Sequence, residues 1–175
     1  MTLSDLFDLS FATRASQPAL EWQGRTYSFG DIDARASRMA NVLSTRGAKP
    51  GDRLCVFLAN SLDFIDVYIA CTRLGVIFVP VNILYRDREI RHILADAEPV
   101  ALVTSADNAA FVPELANVWR IADLAREAES APAKRQVNVT SGDTPAAIVY
   151  TSGTTGASKG AVLSHNVFAV NAINL

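Results

Sequence analysis

Cysteine and histidine are nearly missing from this chain: 175 residues hold two of each. Cys55 and Cys71 lie in apolar strand-like and helix-like contexts, where a thiol acts as a small hydrophobe. Two cysteines make neither a disulfide framework nor a zinc pattern, which points to a reducing, cytoplasmic setting. No group of His, Cys, Asp and Glu has metal-ligand spacing. Nothing pairs His92 with a serine or cysteine nucleophile. His92, on a helix with Arg88, Glu89 and Arg91, reads as solvated, and His165, in a Leu-Ser-His-Asn helix start, reads as a capping or packing residue. An excess of positive charge is missing too: 16 basic residues are scattered singly against 18 acidic ones. That balance excludes a basic stripe for nucleic acid or for an anionic membrane. Residues 1–14 contain Asp5 and Asp8 and no uninterrupted apolar run, so they form neither a secretory signal nor a membrane span. Internal repeats and low-complexity tracts are absent, and a small molecule is the partner these exclusions leave.

What is present is a large apolar content, 50% of the residues, enough for one domain with a sizeable core and incompatible with general disorder. Leu3, Leu6, Phe7 and Phe11 recur at helical spacing behind Thr2 or Ser4, predicting an amphipathic helix over 3–15. Residues 19–22 and 25–27 flank Gln23-Gly24, a β-hairpin pattern. Ser28 caps a helix in which Ile32, Ala36, Met39, Ala40 and Leu43 share one face, ending near Gly47. After a turn at Lys49-Pro50-Gly51-Asp52, residues 53–58 are almost continuously apolar, as in a strand buried on both faces of a parallel sheet. The helix predicted over 62–74 is apolar nearly all round and should be enclosed, with Asp63 and Asp66 as capping or polar-face residues. Gly75 ends it before a strand over 76–79. A helix through Ile90, Ile93 and Leu94 and a strand over 100–103 continue the strand–helix–strand order of parallel βαβ units. Residues 111–130 read as less regular, anchored by Trp119, Ile121 and Leu124. Residues 131–144 read as an exposed connector within a single domain, although a linker between two domains has a similar composition. The expected fold is α/β, a mostly parallel sheet flanked by helices.

One stretch carries specific chemistry: Tyr150-Thr151-Ser152-Gly153-Thr154-Thr155-Gly156-Ala157-Ser158-Lys159-Gly160. Its glycines let the backbone approach an anion closely, its hydroxyls donate, and its lysine supplies a mobile positive charge. That combination suits a polyphosphate, which successive backbone N–H groups cradle. A solvated Gly/Ser/Thr turn would explain neither the lysine nor the buried-type strand Ala146-Ala147-Ile148-Val149-Tyr150 that delivers the loop.

Two common phosphate loops are disfavoured. The nucleotide-triphosphatase pattern needs Gly directly before Lys and a hydroxyl directly after, whereas Ser158 precedes Lys159 and Gly160 follows it. The dinucleotide fingerprint fails because Gly153, Gly156 and Gly160 do not keep its spacing. Ala161-Val162-Leu163 then read as a short strand before an N-cap at Ser164, so the loop joins strand to strand.

The string YTSGTTGASKGAVLSHNV resembles the signature phosphate loop of the adenylate-forming, or AMP-binding, superfamily: acyl-CoA synthetases, adenylation domains of peptide synthetases, and luciferases. The stretches GDRLCVFLANSLDFIDVYIACTRLGVIFVPVN and REIRHILADAEPVALVT are similar to the N-terminal part of the same enzymes, so the resemblance covers most of the chain. Ser158 stands where the family usually has proline; serine there also occurs in malonate-activating members. The resemblance implies the N-terminal portion of an acyl-CoA synthetase-like large domain and an ATP-dependent acid–CoA ligase, with ATP, Mg2+ and CoA as reactants and a carboxylic acid as substrate. It assigns nucleotide-phosphate binding to Thr151, Ser152, Gly153, Thr154, Thr155, Gly156 and Lys159, and no catalytic or metal-ligating residue.

Family members are much longer, which implies that residues 1–175 are an incomplete N-terminal domain, not competent for turnover alone. Its exposed apolar surface would be covered by the missing portion or by self-association. These residues also allow another reading: a non-catalytic phosphate-binding or interaction module, or one piece of a split enzyme needing a partner chain. The acid activated and the thiol acceptor are not legible here.

Overall fold

The computed structural model describes residues 1–114, 117–136, 141–151 and 158–174. Its first elements are set by local chemistry. Thr2 and Ser28 each open a helix through a reciprocal pair of bonds: the hydroxyl accepts the amide of Asp5 or Asp31, and that aspartate accepts the cap's own amide. Such a cap contributes about 1 kcal/mol. The helices that follow are α1 (Leu3–Thr13) and α2 (Phe29–Thr45). Between them, β1 (Pro18–Trp22) and β2 (Arg25–Ser28) form an antiparallel hairpin. Its two turn residues, Gln23 and Gly24, have φ of 51° and 76°, the left-handed pair that matches the twist of the strands.

The central sheet contains β3 (Arg53–Phe57), β4 (Ile77–Pro80), β5 (Ala101–Thr104), β6 (Val118–Arg120), β7 (Pro145–Thr151) and β8 (Lys159–Ser164). They lie in the order β6-β5-β3-β4-β7-β8. All neighbours pair in parallel except β7 and β8, which are antiparallel. The connecting helices are α3 (Leu62–Leu74), α4 (Asp87–Ala97) and α5 (Ile121–Ser130), and α6 (His165–Ile173) follows β8. Ser61 caps α3 by accepting the Phe64 amide, and Gly75, at φ 68°, ends it in the left-handed conformation that glycine adopts without strain.

Successive residues of each strand point to opposite faces. On one face Leu54, Val56, Phe78, Val103 and Ala147 pack with Met39, Leu43, Val67 and Leu124 from α2, α3 and α5. On the other, Cys55, Phe57, Val79, Leu102 and Tyr150 pack with Ile90 and Ile93 of α4. Coverage on both sides explains why these strands are continuously apolar instead of alternating.

Two parts depart from expectation. Residues 111–130 contain β6 and α5: Trp119 and Leu124 are buried anchors as predicted, and Ile121 packs partly buried against the core. β6 is only three residues long, and Arg120 opens α5 with no side-chain cap bond, so neither element has a sequence signal of its own. Asp66 is also no polar-face residue. It is 2% exposed, and the guanidinium of Arg35 donates to both its oxygens, at 2.5 and 3.3 Å, and to Asp63 at 3.1 Å.

A second guanidinium, the buried one of Arg73, donates to Asp33 Oδ1 at 2.6 Å and Ser37 Oγ at 2.7 Å. Arg135 joins it, donating to both oxygens of Asp33, which ties the 131–136 segment to α2. Asn41 holds the same segment by donating to the carbonyls of Pro132 and Lys134. At the other end of the connector, the Asn166 amide donates to the Gly142 carbonyl. Among the described residues no helix is long and apolar enough to cross a membrane.

Candidate phosphate-binding site

The sheet order decides where a ligand fits. From β3 the chain crosses by α3 to β4 on one side, and from β4 it returns by α4 to β5 on the other side of β3. The connections therefore diverge at the carboxyl ends of β3 and β4, and such a switch point opens a crevice in α/β sheets. A cavity of about 450 Å³ occupies it, lined by Asn60 and Leu58 after β3, Pro80 and Asn82 at the end of β4, and Val149 and Tyr150 of β7. A cavity of similar size, about 470 Å³, lies between Leu94, Glu98, Pro113 and Asn117 near the starts of β5 and β6. It is at the opposite edge of the sheet and shares no residue with the glycine-rich segment.

β7 ends beside the first cavity. Thr151 and Lys159 are cross-strand partners that close the mouth of the β7–β8 hairpin, and both are exposed. Cross-strand partners share a face, so the hydroxyl and the ammonium stand side by side. Ser152, Gly153, Thr154, Thr155 and Gly156 lie outside the described residues. The expectation that the segment joins strand to strand holds, since β8 returns antiparallel to β7. Gly160 belongs to β8, where it faces Tyr150.

His92 is not the solvated residue its charged neighbours suggest. It is half-buried on α4, its Nε2 lies 2.7 Å from the Ser158 carbonyl oxygen, and its ring meets that of Tyr150 edge-on with centroids 6.3 Å apart. The Tyr150 hydroxyl donates to Asp96 Oδ2 at 2.5 Å. Burial and the Asp96 charge push that phenol far above its ordinary range, so it remains a donor. Sequence reasoning misses these contacts because nothing local links α4 to residues about sixty positions later.

His165 is 1% exposed, and burial holds its imidazole below the usual histidine range. Its backbone amide donates to the Thr144 carbonyl at 3.1 Å. Packing, the role expected of it, accounts for its position. Among the described residues no group of His, Cys, Asp and Glu is arranged to hold a metal ion.

The chain is similar to enzymes of one kind. A family model described as AMP-binding enzyme matches residues 7–175. A feruloyl-CoA synthase of an Amycolatopsis species is 30% identical over 157 residues, covering 90% of this chain and 32% of that protein. An indoleacetate–CoA ligase of Aromatoleum aromaticum is 31% identical over 191 residues, covering 99% and 37%. Among solved structures, ATP-bound MatB from Rhodopseudomonas palustris aligns with a TM-score of 0.85 at 34% identity, covering 100% of this chain and 37% of that one. The chain thus spans about a third of the length of the relatives it matches.

Proposed function

The chain belongs to the family of AMP-binding enzymes, and on that premise we propose that it is the N-terminal part of an ATP-dependent acid–CoA ligase and contributes the loop that binds the phosphates of ATP. In the reaction a substrate carboxylate oxygen attacks the α-phosphorus of ATP. The bond from that phosphorus to the bridging oxygen breaks, and pyrophosphate leaves an acyl-adenylate. A thiol sulfur, that of CoA in this reading, then attacks the acyl carbon and displaces AMP.

The loop serves the first step. Thr151, Ser152, Thr154 and Thr155 donate hydrogen bonds to the β- and γ-phosphates, Gly153 and Gly156 allow the backbone to close on them, and Lys159 balances the charge that gathers on departing pyrophosphate. Magnesium would accompany ATP as the counterion of those phosphates, with no ligand from this chain assigned to it. Stabilising this leaving group accelerates adenylation and not thiol transfer.

The observation that carries the reading is the pairing of Thr151 with Lys159 at the carboxyl edge of the sheet, next to the cavity at the switch point. Support also comes from the CoA-ligating relatives and the ATP-bound neighbour. The test is acid-dependent exchange of labelled pyrophosphate into ATP, run with a panel of carboxylic acids. Exchange with at least one acid is expected. ATP binding without exchange for any acid, in a protein of its relatives' full length, would favour a binding module instead.

A further inference from the structure

We propose that His92 and Asp96, one turn apart on α4, are positioning residues that clasp both roots of the phosphate loop. Residues four apart on a helix share a face, and here each engages one end of the segment. Asp96 accepts the hydroxyl of Tyr150, the residue before Thr151. His92 engages the carbonyl of Ser158, the residue before Lys159. A carbonyl only accepts, so Nε2 carries the proton and donates.

The geometry makes this a clasp and not a chance contact. Tyr150 and Gly160 are cross-strand partners, and a β-carbon on Gly160 would stand 3.2 Å from Tyr150 Cζ. The glycine leaves room for the phenol ring on the α4 side, where the His92 ring meets it edge-on at 83°. Strand alternation turns Thr151 and Lys159 to the face opposite Tyr150. The clasp therefore grips the loop's roots from behind and leaves the paired hydroxyl and ammonium free for a ligand. The rest of the inward face of α4 is apolar, with Ile90, Ile93 and Ala97 in the core, so packing alone requires neither the imidazole nor the carboxylate.

The inference rests on the phosphate-loop reading for its effect on catalysis, while the clasp itself is measurable without nucleotide. His92→Phe keeps a ring against Tyr150 and removes the donor; His92→Gln restores an N–H donor. In pyrophosphate exchange, His92→Phe should raise the KM for ATP about tenfold, the loss expected of one hydrogen bond, with the KM for the acid and the melting temperature unchanged. His92→Gln should recover most of that loss. In nucleotide-free protein, His92→Phe should accelerate amide hydrogen exchange at Lys159 and Gly160. An unchanged KM for ATP, or equal movement of both KM values and the melting temperature, would overturn the clasp. In a protein of its relatives' full length, wild type with no pyrophosphate exchange would defeat the ligase reading, and the amide measurement then decides the clasp alone: faster exchange in His92→Phe supports it, and unchanged rates overturn it.

Discussion

Tyr150 and Gly160 face each other across β7 and β8 with no space for a side chain between them: a β-carbon on Gly160 would lie 2.7 Å from Ile148 Cγ2 and 3.2 Å from Tyr150 Cζ. In the sequence Gly160 closes the glycine-rich stretch, outside the residues assigned to phosphate binding. Its position on β8 makes it a packing glycine that seats the Tyr150 ring.

Gly160→Ala therefore tests packing. The Ile148 methyl is attached directly to a branched β-carbon and cannot swing away cheaply. Overpacking of this kind costs about 1–3 kcal/mol. Urea unfolding should show that loss, and stability within experimental error of wild type would mean that the hairpin opens easily to admit a methyl group.

Arg73 tests the buried network. Its guanidinium is buried, lies 5.3 Å over the Phe11 ring, and donates to Asp33 and Ser37. Arg73→Ala removes the packing of the stem and leaves Asp33 to Arg135 alone. Losing hydrogen bonds to a buried charged group, with Ser37 left unpaired, costs about 1–3 kcal/mol. The urea midpoint should fall accordingly, and a shift typical of a surface salt bridge, below about 1 kcal/mol, would contradict the buried network.

Asp33 and Asp66 should answer pH in opposite directions. Burial opposes ionisation of both. At Asp33 the hydrogen bonds from Arg135 and Arg73 outweigh it and hold the carboxyl below its ordinary range. At Asp66 burial wins over Arg35 and pushes the carboxyl up to about 6. A depressed folded pKa contributes stability above the unfolded value, about 3.9, that is lost as pH falls through the folded one. A raised folded pKa removes stability as pH climbs from about 4 to about 6. Against Asp33→Asn the wild type should gain advantage as pH rises to about 5, and against Asp66→Asn it should lose advantage from about pH 4 to pH 6. Urea midpoints across that range check both, and parallel trends for the two variants would contradict the assignment.

Much of this architecture is legible in the residues. Ser28 and Gly75 mark helix ends because capping and left-handed backbone are local requirements. The apolar runs at 53–58 and 76–79 announce strands buried on both faces, because burial on both sides leaves no polar alternation to find. β6 and α5 lack such marks, being short and uncapped, and only their packing against β5 and α2 forms them. At the site, Thr151 and Lys159 stand out by chemistry alone. His92 and Asp96 do not, because the charges around them look like a solvated helix face until α4 is laid against β7. Asp66 is hidden for the same reason: its burial depends on Arg35, thirty-one positions earlier.

The measurement that bears most directly on the central claim compares two half-reactions in Lys159→Ala. If Lys159 balances charge on departing pyrophosphate, exchange of pyrophosphate into ATP should slow by about a hundredfold or more, the usual effect of removing one such group. Thioester formation from preformed acyl-adenylate should stay near the wild-type rate. Equal slowing of both steps, or exchange at the wild-type rate, would contradict the account.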